Sequence, residues 1–467
     1  VWHLLASLQT LVEENPFLPT SKYRLSANAQ YWLDLHLSPL NDVRLMQPIS
    51  SPIQTRTYQS SDASPAPLKP VGWLDRLLRN RSRKLFAQLP DHLALTVVDA
   101  DGVIQLGDPK KASLTATMTI HDSAVYRMLA WNGSLGACEA YLQGLWTTPD
   151  LVQTLRLFSQ IFDTVNTLDT GTAWLATAKA KIASSFRRNS RTGSQRNIAE
   201  HYDLSNEFFR LFLDPSMMYS SACFDGPDMA LEEASQNKLR MLCRKLQLEA
   251  SDHLLEIGTG WGGMALHAAS HHGCRVTTTT ISSKQHEYAQ KLFQMTGMNQ
   301  QISLLKEDYR DLRGEYDKIV SVEMIEAVGK DYLAEYFKCC DRLLRQGGRF
   351  VIQAIVIPEQ RFDIYSRSVD FIQTYIFPGS FLPSVASMQQ AVGQGTCLRL
   401  VGMQDYTPSY VLTLREWRKR FLNQLDTVRT LGFDERFIRM WDFYLASCEA
   451  VFHERAAGLV QMEWIKV

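Results

Sequence analysis

Eight cysteines in 467 residues include no Cys-x-x-Cys pair, which argues against a disulfide framework or a zinc site. No apolar run approaches the ~18–20 residues needed to span a bilayer. Neither sign of charge dominates, since 49 Lys and Arg balance 49 Asp and Glu. Nothing therefore draws the whole chain toward nucleic acid, and attraction to an anionic surface must come from a local patch. Val1–Leu5 is too short for a secretory signal and no basic stretch precedes it. Because the chain opens on Val1 rather than Met, its natural start is expected to lie upstream. These lacks fit a reducing cytoplasm. The composition, 45% apolar and 21% charged, is that of a globular chain with a sizeable core, and the length predicts two or three domains.

Residues 1–48 read as weakly helical and carry no motif. A Ser- and Pro-rich stretch follows, ending Ser-Asp-Ala-Ser-Pro-Ala-Pro-Leu-Lys-Pro, and marks residues 49–71 as a linker. Residues 72–165 make a small α+β unit. Leu93–Asp99 and Thr115–Ile120 alternate as strands, Ser123–Trp131 and Gly136–Leu142 look helical, and Leu151–Phe162 is amphipathic. Residues 166–196 form a basic connecting helix with Lys179, Lys181, Arg187, Arg188, Arg191 and Arg196. That run reads either as a solvated face or as a phospholipid head-group patch, where each basic residue adds about 1 kcal/mol. From residue 197 to 467 strands alternate with helices: His253–Ile257, Arg275–Thr280, Ile302–Glu307, Lys318–Val322 and Gly348–Ile357 are strands. Met264–His271, Lys284–Met295 and Tyr332–Leu344 are the intervening helices. Right-handed βαβ units and a parallel sheet are expected. Cys339 and Cys340, adjacent on the last helix, read as packing residues.

The strongest local signal is Leu254–Gly263, reading LLEIGTGWGG. An apolar strand enters a glycine-rich turn that opens a helix, and glycines Gly258, Gly260 and Gly262 let a ligand approach the backbone. A dinucleotide site would show Gly-x-Gly-x-x-Gly and an acidic residue after the second strand. This chain has Gly-x-Gly-x-Gly-Gly, Glu256 two positions before the first glycine, and Thr280-Ile281 with Gln285 after strand two. Strand three ends at Asp308-Tyr309, an acceptor for an adenine amino group and a ring to pack on it. The pattern suits a sulfonium cofactor, which has no pyrophosphate, and predicts an S-adenosylmethionine site in a Rossmann-like class I methyltransferase domain. No metal is expected.

The flanking segments carry a resemblance. Asn197–Phe224 (NIAEHYDLSNEFFRLFLDPSMMYSSACF), Glu256–Gly263, Asp308–Leu312 (DYRDL), Ser321–Gly329 (SVEMIEAVG), Phe371–Ser384 (FIQTYIFPGSFLPS) and Arg436–Arg455 closely resemble blocks of the cyclopropane fatty acid synthase and mycolic acid cyclopropane synthase family. The likeness runs through residues 197–467, and residues 72–165 resemble the N-terminal domain of the bacterial synthases less distinctly. The resemblance implies an α/β fold and methyl transfer from S-adenosylmethionine to a cis double bond of a phospholipid acyl chain. It further implies a carbocation whose new methyl group loses a proton to a bound bicarbonate. The family's bicarbonate ligands fall on Glu326, Tyr410 and the backbone at Ile355. Two positions depart from the pattern: Ser221 replaces a cysteine that contributes its backbone amide, and Gln353 replaces a histidine. An amide can donate to an anion but cannot carry charge near neutral pH. Ring closure and a methyl- or methylene-branched product therefore both stay open. Tyr219 and Ser220 are implied to lie against the cofactor, with His201 and Tyr202 near the mouth. Phe208, Phe209, Phe371, Ile372, Tyr375 and Phe377 are candidates for an acyl channel or for plain core. The implied setting is the inner face of a membrane, with a possible homodimer. A lipid-binding protein with a decayed site and a small-molecule methyltransferase acting on nitrogen or oxygen are the competing readings.

Overall fold

The computed structural model describes residues 72–86, 89–166 and 204–467. The N-terminal segment, the Ser/Pro-rich linker, the basic connector from 167 onward, and His201 and Tyr202 lie outside the described residues. The small unit opens with α1 (Trp73–Phe86) and holds β1 (Leu93–Asp99), β2 (Gly102–Leu106), β3 (Leu114–Ile120), α2 (Ala124–Leu142), β4 (Trp146–Thr147) and α3 (Leu151–Asn166). Its sheet runs β2-β1-β3-β4, with β1 and β3 parallel and the outer pairs antiparallel. The two helices expected between 123 and 142 are present within α2, separated at Gly133, whose φ of 56° and ψ of −132° break the helical path. Asp75 fastens α1 to α2, accepting from the Ser123 hydroxyl at 2.5 Å and pairing with Arg127 at 2.6 Å.

The larger sheet runs β10-β11-β9-β8-β5-β6-β7. Its members are β5 (His253–Ile257), β6 (Arg275–Thr279), β7 (Ile302–Leu305), β8 (Tyr316–Val322), β9 (Leu344–Val356), β10 (Leu398–Asp405) and β11 (Gly458–Lys466). β7, β6, β5, β8 and β9 are mutually parallel, as the alternating pattern predicts. β11 is antiparallel to β9 and β10 antiparallel to β11, a departure from the all-parallel reading. The reason is local. β10 is too exposed to show buried-strand periodicity, and β11 enters after helices that follow β10 and not after a β–α crossover from β9. Before β5 comes α4 (Leu231–Leu246); α5 (Gly263–His272) joins β5 to β6 and α6 (Ser283–Met295) joins β6 to β7. α7 (Leu333–Leu343) leads into β9, and α8 (Thr407–Leu422) and α9 (Glu435–His453) follow β10.

Apolar side chains fill both sides of this sheet. One core holds Phe337, Phe350, Ile352 and Trp464, and the other joins Phe208, Phe209, Phe212, Trp417 and Trp441 to the small unit through Tyr141 and Trp146. Each of those fully buried aromatic side chains adds about 1.5–3 kcal/mol of burial. Phe208, Phe209 and Phe371 belong to this packed core, and Tyr375 packs against it. Ile372 and Phe377 line a cavity. The order reversal around β5, with β6 on one side and β8 on the other, places that cavity at the strands' carboxyl ends, where open α/β sheets bind ligands.

Candidate active site

A cavity of about 370 Å³ takes walls from both halves of the expected site: Tyr219, Ser220, Glu256, Gly258, Gly260, Thr280, Ile281, Gln285, Asp308 and Tyr309 on one side, Glu326, Ile355 and Tyr410 on the other. All three loop glycines have positive φ: 102° at Gly258, 52° at Gly260 and 96° at Gly262. A Cβ on Gly260 would meet nothing within 4 Å, so open space lies where a ligand approaches the backbone. A Cβ on Gly262 would sit 2.9 Å from the Phe293 ring, so that glycine serves helix packing and stands behind the cavity wall.

Glu256 is 2% exposed, and among the described residues it accepts from the Thr278 hydroxyl at 2.6 Å. Burial pushes its carboxyl up to about 8. A cationic amino acid moiety placed beside it would return the group to its ionised form, which suits a sulfonium cofactor. The Thr280 hydroxyl donates to Gln285 Oε1 at 2.9 Å and fixes that amide at the wall. Tyr219 shares a hydrogen bond with the Tyr444 hydroxyl at 2.9 Å. Ser220 accepts from Lys238 Nζ at 2.7 Å, and this fully buried lysine is one the sequence reading missed. Asp308 is held by Arg310 through two bonds, 2.8 and 2.6 Å. The carboxylate expected to accept from adenine is thus already oriented by a guanidinium and by the Arg310 backbone N–H at 3.0 Å.

The second half differs from expectation in one decisive residue. Glu323, on the turn after β8 with φ of 48°, accepts from the Ser221 backbone N–H at 2.8 Å, Gln353 Nε2 at 2.7 Å and the Tyr410 hydroxyl at 2.8 Å. Those are the donors the resemblance assigned to bicarbonate. Gln353 is aimed by Gln461, which donates to its Oε1 at 2.9 Å. Glu326 accepts from the Ile355 N–H at 2.6 Å, and its other oxygen is buried with no hydrogen bond partner among the described residues. Burial, then the neighbouring Glu323, pushes its carboxyl up to about 8. The donors expected for a free bicarbonate are thus already taken by a side-chain carboxylate, that of Glu323. The sequence signal for Glu323 was present in SVEMIEAVG, three positions before Glu326, but only the fold shows which acid meets the donors.

Comparison with known proteins agrees with this geometry. Residues 189–462 match the family described as mycolic acid cyclopropane synthetase. The chain belongs to that family. It is 37% identical to the tuberculostearic acid methyltransferase UfaA1 of Mycobacterium tuberculosis, over 86% of this chain and 95% of the relative. It is 33% identical to the cyclopropane-fatty-acyl-phospholipid synthase of Escherichia coli, over 75% and 88%. Among solved structures it is similar to the mycolic acid cyclopropane synthase CmaA1 complexed with SAH and CTAB, with a TM-score of 0.55, 29% identity, and coverage of 58% of this chain and 98% of that one. The protein is an S-adenosylmethionine-dependent methyltransferase of class I fold. Among the described residues no helix is long and apolar enough to cross a membrane.

Proposed function

We propose that this methyltransferase adds one carbon to the cis double bond of a phospholipid-borne acyl chain, with Glu323 as the built-in base. The observation that carries the reading is the convergence of three donors on the Glu323 carboxylate inside a largely apolar cavity. Bound S-adenosylmethionine supplies an electrophilic methyl group, and Glu256, Gly260, Gln285, Asp308 and Tyr309 are the residues that would hold it. Ile372, Phe377, Leu382 and Val451 offer apolar wall for an acyl chain, and the relative that binds the long-chain detergent CTAB supports that assignment.

As the alkene's electron pair forms the new C–C bond, the cofactor's S–C bond breaks and the neighbouring alkene carbon becomes cationic. The hydrogen-bonded Glu323 carboxylate beside that carbon favours the charge in a water-poor site. Glu323 then takes a proton from the new methyl group, and the released C–H pair closes a three-membered ring onto the cation. Ring closure is the shorter route, since a methylene branch needs an additional 1,2-hydride shift before the same proton is lost. The branched product is the second reading, favoured by the similarity to a tuberculostearic acid methyltransferase over nearly that relative's whole length.

Vesicles of phospholipid with monounsaturated chains, incubated with the protein and methyl-labelled cofactor, test the proposal. Label in the acyl chains and a mass gain of one CH₂ are expected, with cyclopropane proton resonances for the ring or a surviving alkene for the branch. Absence of label from lipid overturns it.

A further inference from the structure

We propose that Cys243, His267 and His272 form a zinc site, separate from the active site, that clamps the far end of the helix leading out of the cofactor loop. The three side chains come from α4 and from the middle and last turn of α5, and their ligand atoms lie within 4.8 Å of one another. Cys243 is fully buried and His267 is 2% exposed, while His272 is partly open and gives an entry path. Zinc bonds of about 2.3 Å to sulfur and about 2.0 Å to nitrogen set ligand separations of about 3.5 Å in a tetrahedron. Small rotamer changes close the gap from 4.8 Å.

The surroundings have the features of a metal site's outer layer. His272 Nδ1 lies 3.1 Å from the Leu248 carbonyl. A carbonyl accepts only, so Nδ1 carries the proton and Nε2 holds the lone pair, the orientation that a zinc-ligating histidine takes from its backbone partner. The His271 ring stacks on His267 at 4.1 Å and 20°, which fixes the plane of the second ligand. The thiol of Cys274 donates instead to the Ala268 carbonyl at 3.6 Å, so water is left to fill the fourth coordination position. Zinc binds such a cysteine as the thiolate and neutralises its charge, which makes a buried thiolate tolerable. The missing Cys-x-x-Cys spacing hid the cluster, because its members are 24 and 5 residues apart in the chain and only the packing of α4 on α5 joins them.

The test uses the whole chain, treated with chelator and titrated with Co(II). Expected are a single bound cobalt with a thiolate-to-metal charge-transfer band, loss of the band in Cys243→Ser, and a rise in Tm with added Zn(II) that disappears in His272→Gln. His272 is partly exposed, so this variant folds even if replacing Cys243 disturbs the core, and far-UV circular dichroism checks both. No band in the native chain, a band that survives Cys243→Ser, or an equal Zn(II) shift in His272→Gln overturns the proposal. Lipid methylation is a separate readout, so failure here leaves the proposed reaction untouched.

Discussion

Glu323 accepts from a backbone N–H, an amide and a phenol at once, and a carboxylate held by three donors is oriented before substrate arrives. Replacing it with Gln keeps the shape but removes the proton acceptor. Glu323→Gln should lower kcat by about 10²–10⁴-fold with cofactor affinity nearly unchanged, and the native chain should turn over at the same rate in bicarbonate-free buffer. A strong bicarbonate requirement in the native chain would contradict the role given to Glu323. Glu256 makes a second residue-level prediction. Its carboxyl, raised to about 8 by burial, is neutral in the free protein near pH 7 and must ionise to meet a cationic cofactor. Cofactor affinity should therefore rise with pH up to about 8, with proton release on binding, measurable by calorimetry in buffers of different ionisation enthalpy. Glu256→Gln should bind more weakly and without that pH dependence. The sign for stability is the reverse: a raised carboxyl favours the fold most below the ordinary carboxylate range and loses that contribution as pH rises toward 8.

The turn between β5 and α5 shows how one motif divides its labour. Gly260 faces open space and Gly262 faces Phe293, so the two alanine substitutions separate binding from folding. Gly260→Ala should cost about 1–2 kcal/mol for its left-handed backbone and weaken cofactor binding at least tenfold, as the new methyl enters the ligand's space. Gly262→Ala adds a clash in a packed core, so its Tm should fall further, by an added cost of about 1–3 kcal/mol. Equal Tm losses would show that the packing distinction is wrong. β5 and α5 were legible from the sequence to within a residue, because strand, turn and helix carry the same message there. The apolar cavity wall was not, because aromatic residues at Phe208, Phe209, Phe371 and Phe377 look alike in sequence and only packing separates core from cavity.

Across the molecule, the small unit is tied to the catalytic sheet's helices by charged contacts that the sequence could not pair. Glu139 on α2 meets Arg436 on α9 at 2.9 Å and the Tyr375 hydroxyl beside the cavity at 2.9 Å. Arg156 and Gln160 on α3 both reach Glu454, at 2.6 and 2.5 Å. Burial opposes ionisation of Glu454, but hydrogen bonds from His453, Arg156 and Gln160 win and hold it at about 2. A lowered carboxyl stabilises the fold above the ordinary carboxylate range and loses that contribution as pH falls toward 2. Arg156→Ala should cost about 1–3 kcal/mol at neutral pH, and the difference from the native chain should shrink in acid. Urea unfolding at pH 7 and pH 3 measures both, and a pH-independent difference would argue that Arg156 acts by packing alone.

The sequence by itself determined the cofactor class, the family and the parallel core of the sheet, because those features are written in short contiguous signals: a glycine turn after a strand, a period, a run of matching blocks. Tertiary structure alone decided that Glu323 meets the donors expected for a free anion, that Lys238 and Gln461 support Ser220 and Gln353, and that two histidines join Cys243. Each of those depends on side chains brought together from separate strands and helices. Local pattern specifies backbone conformation, whereas the partner of a buried charge is fixed by how the layers pack.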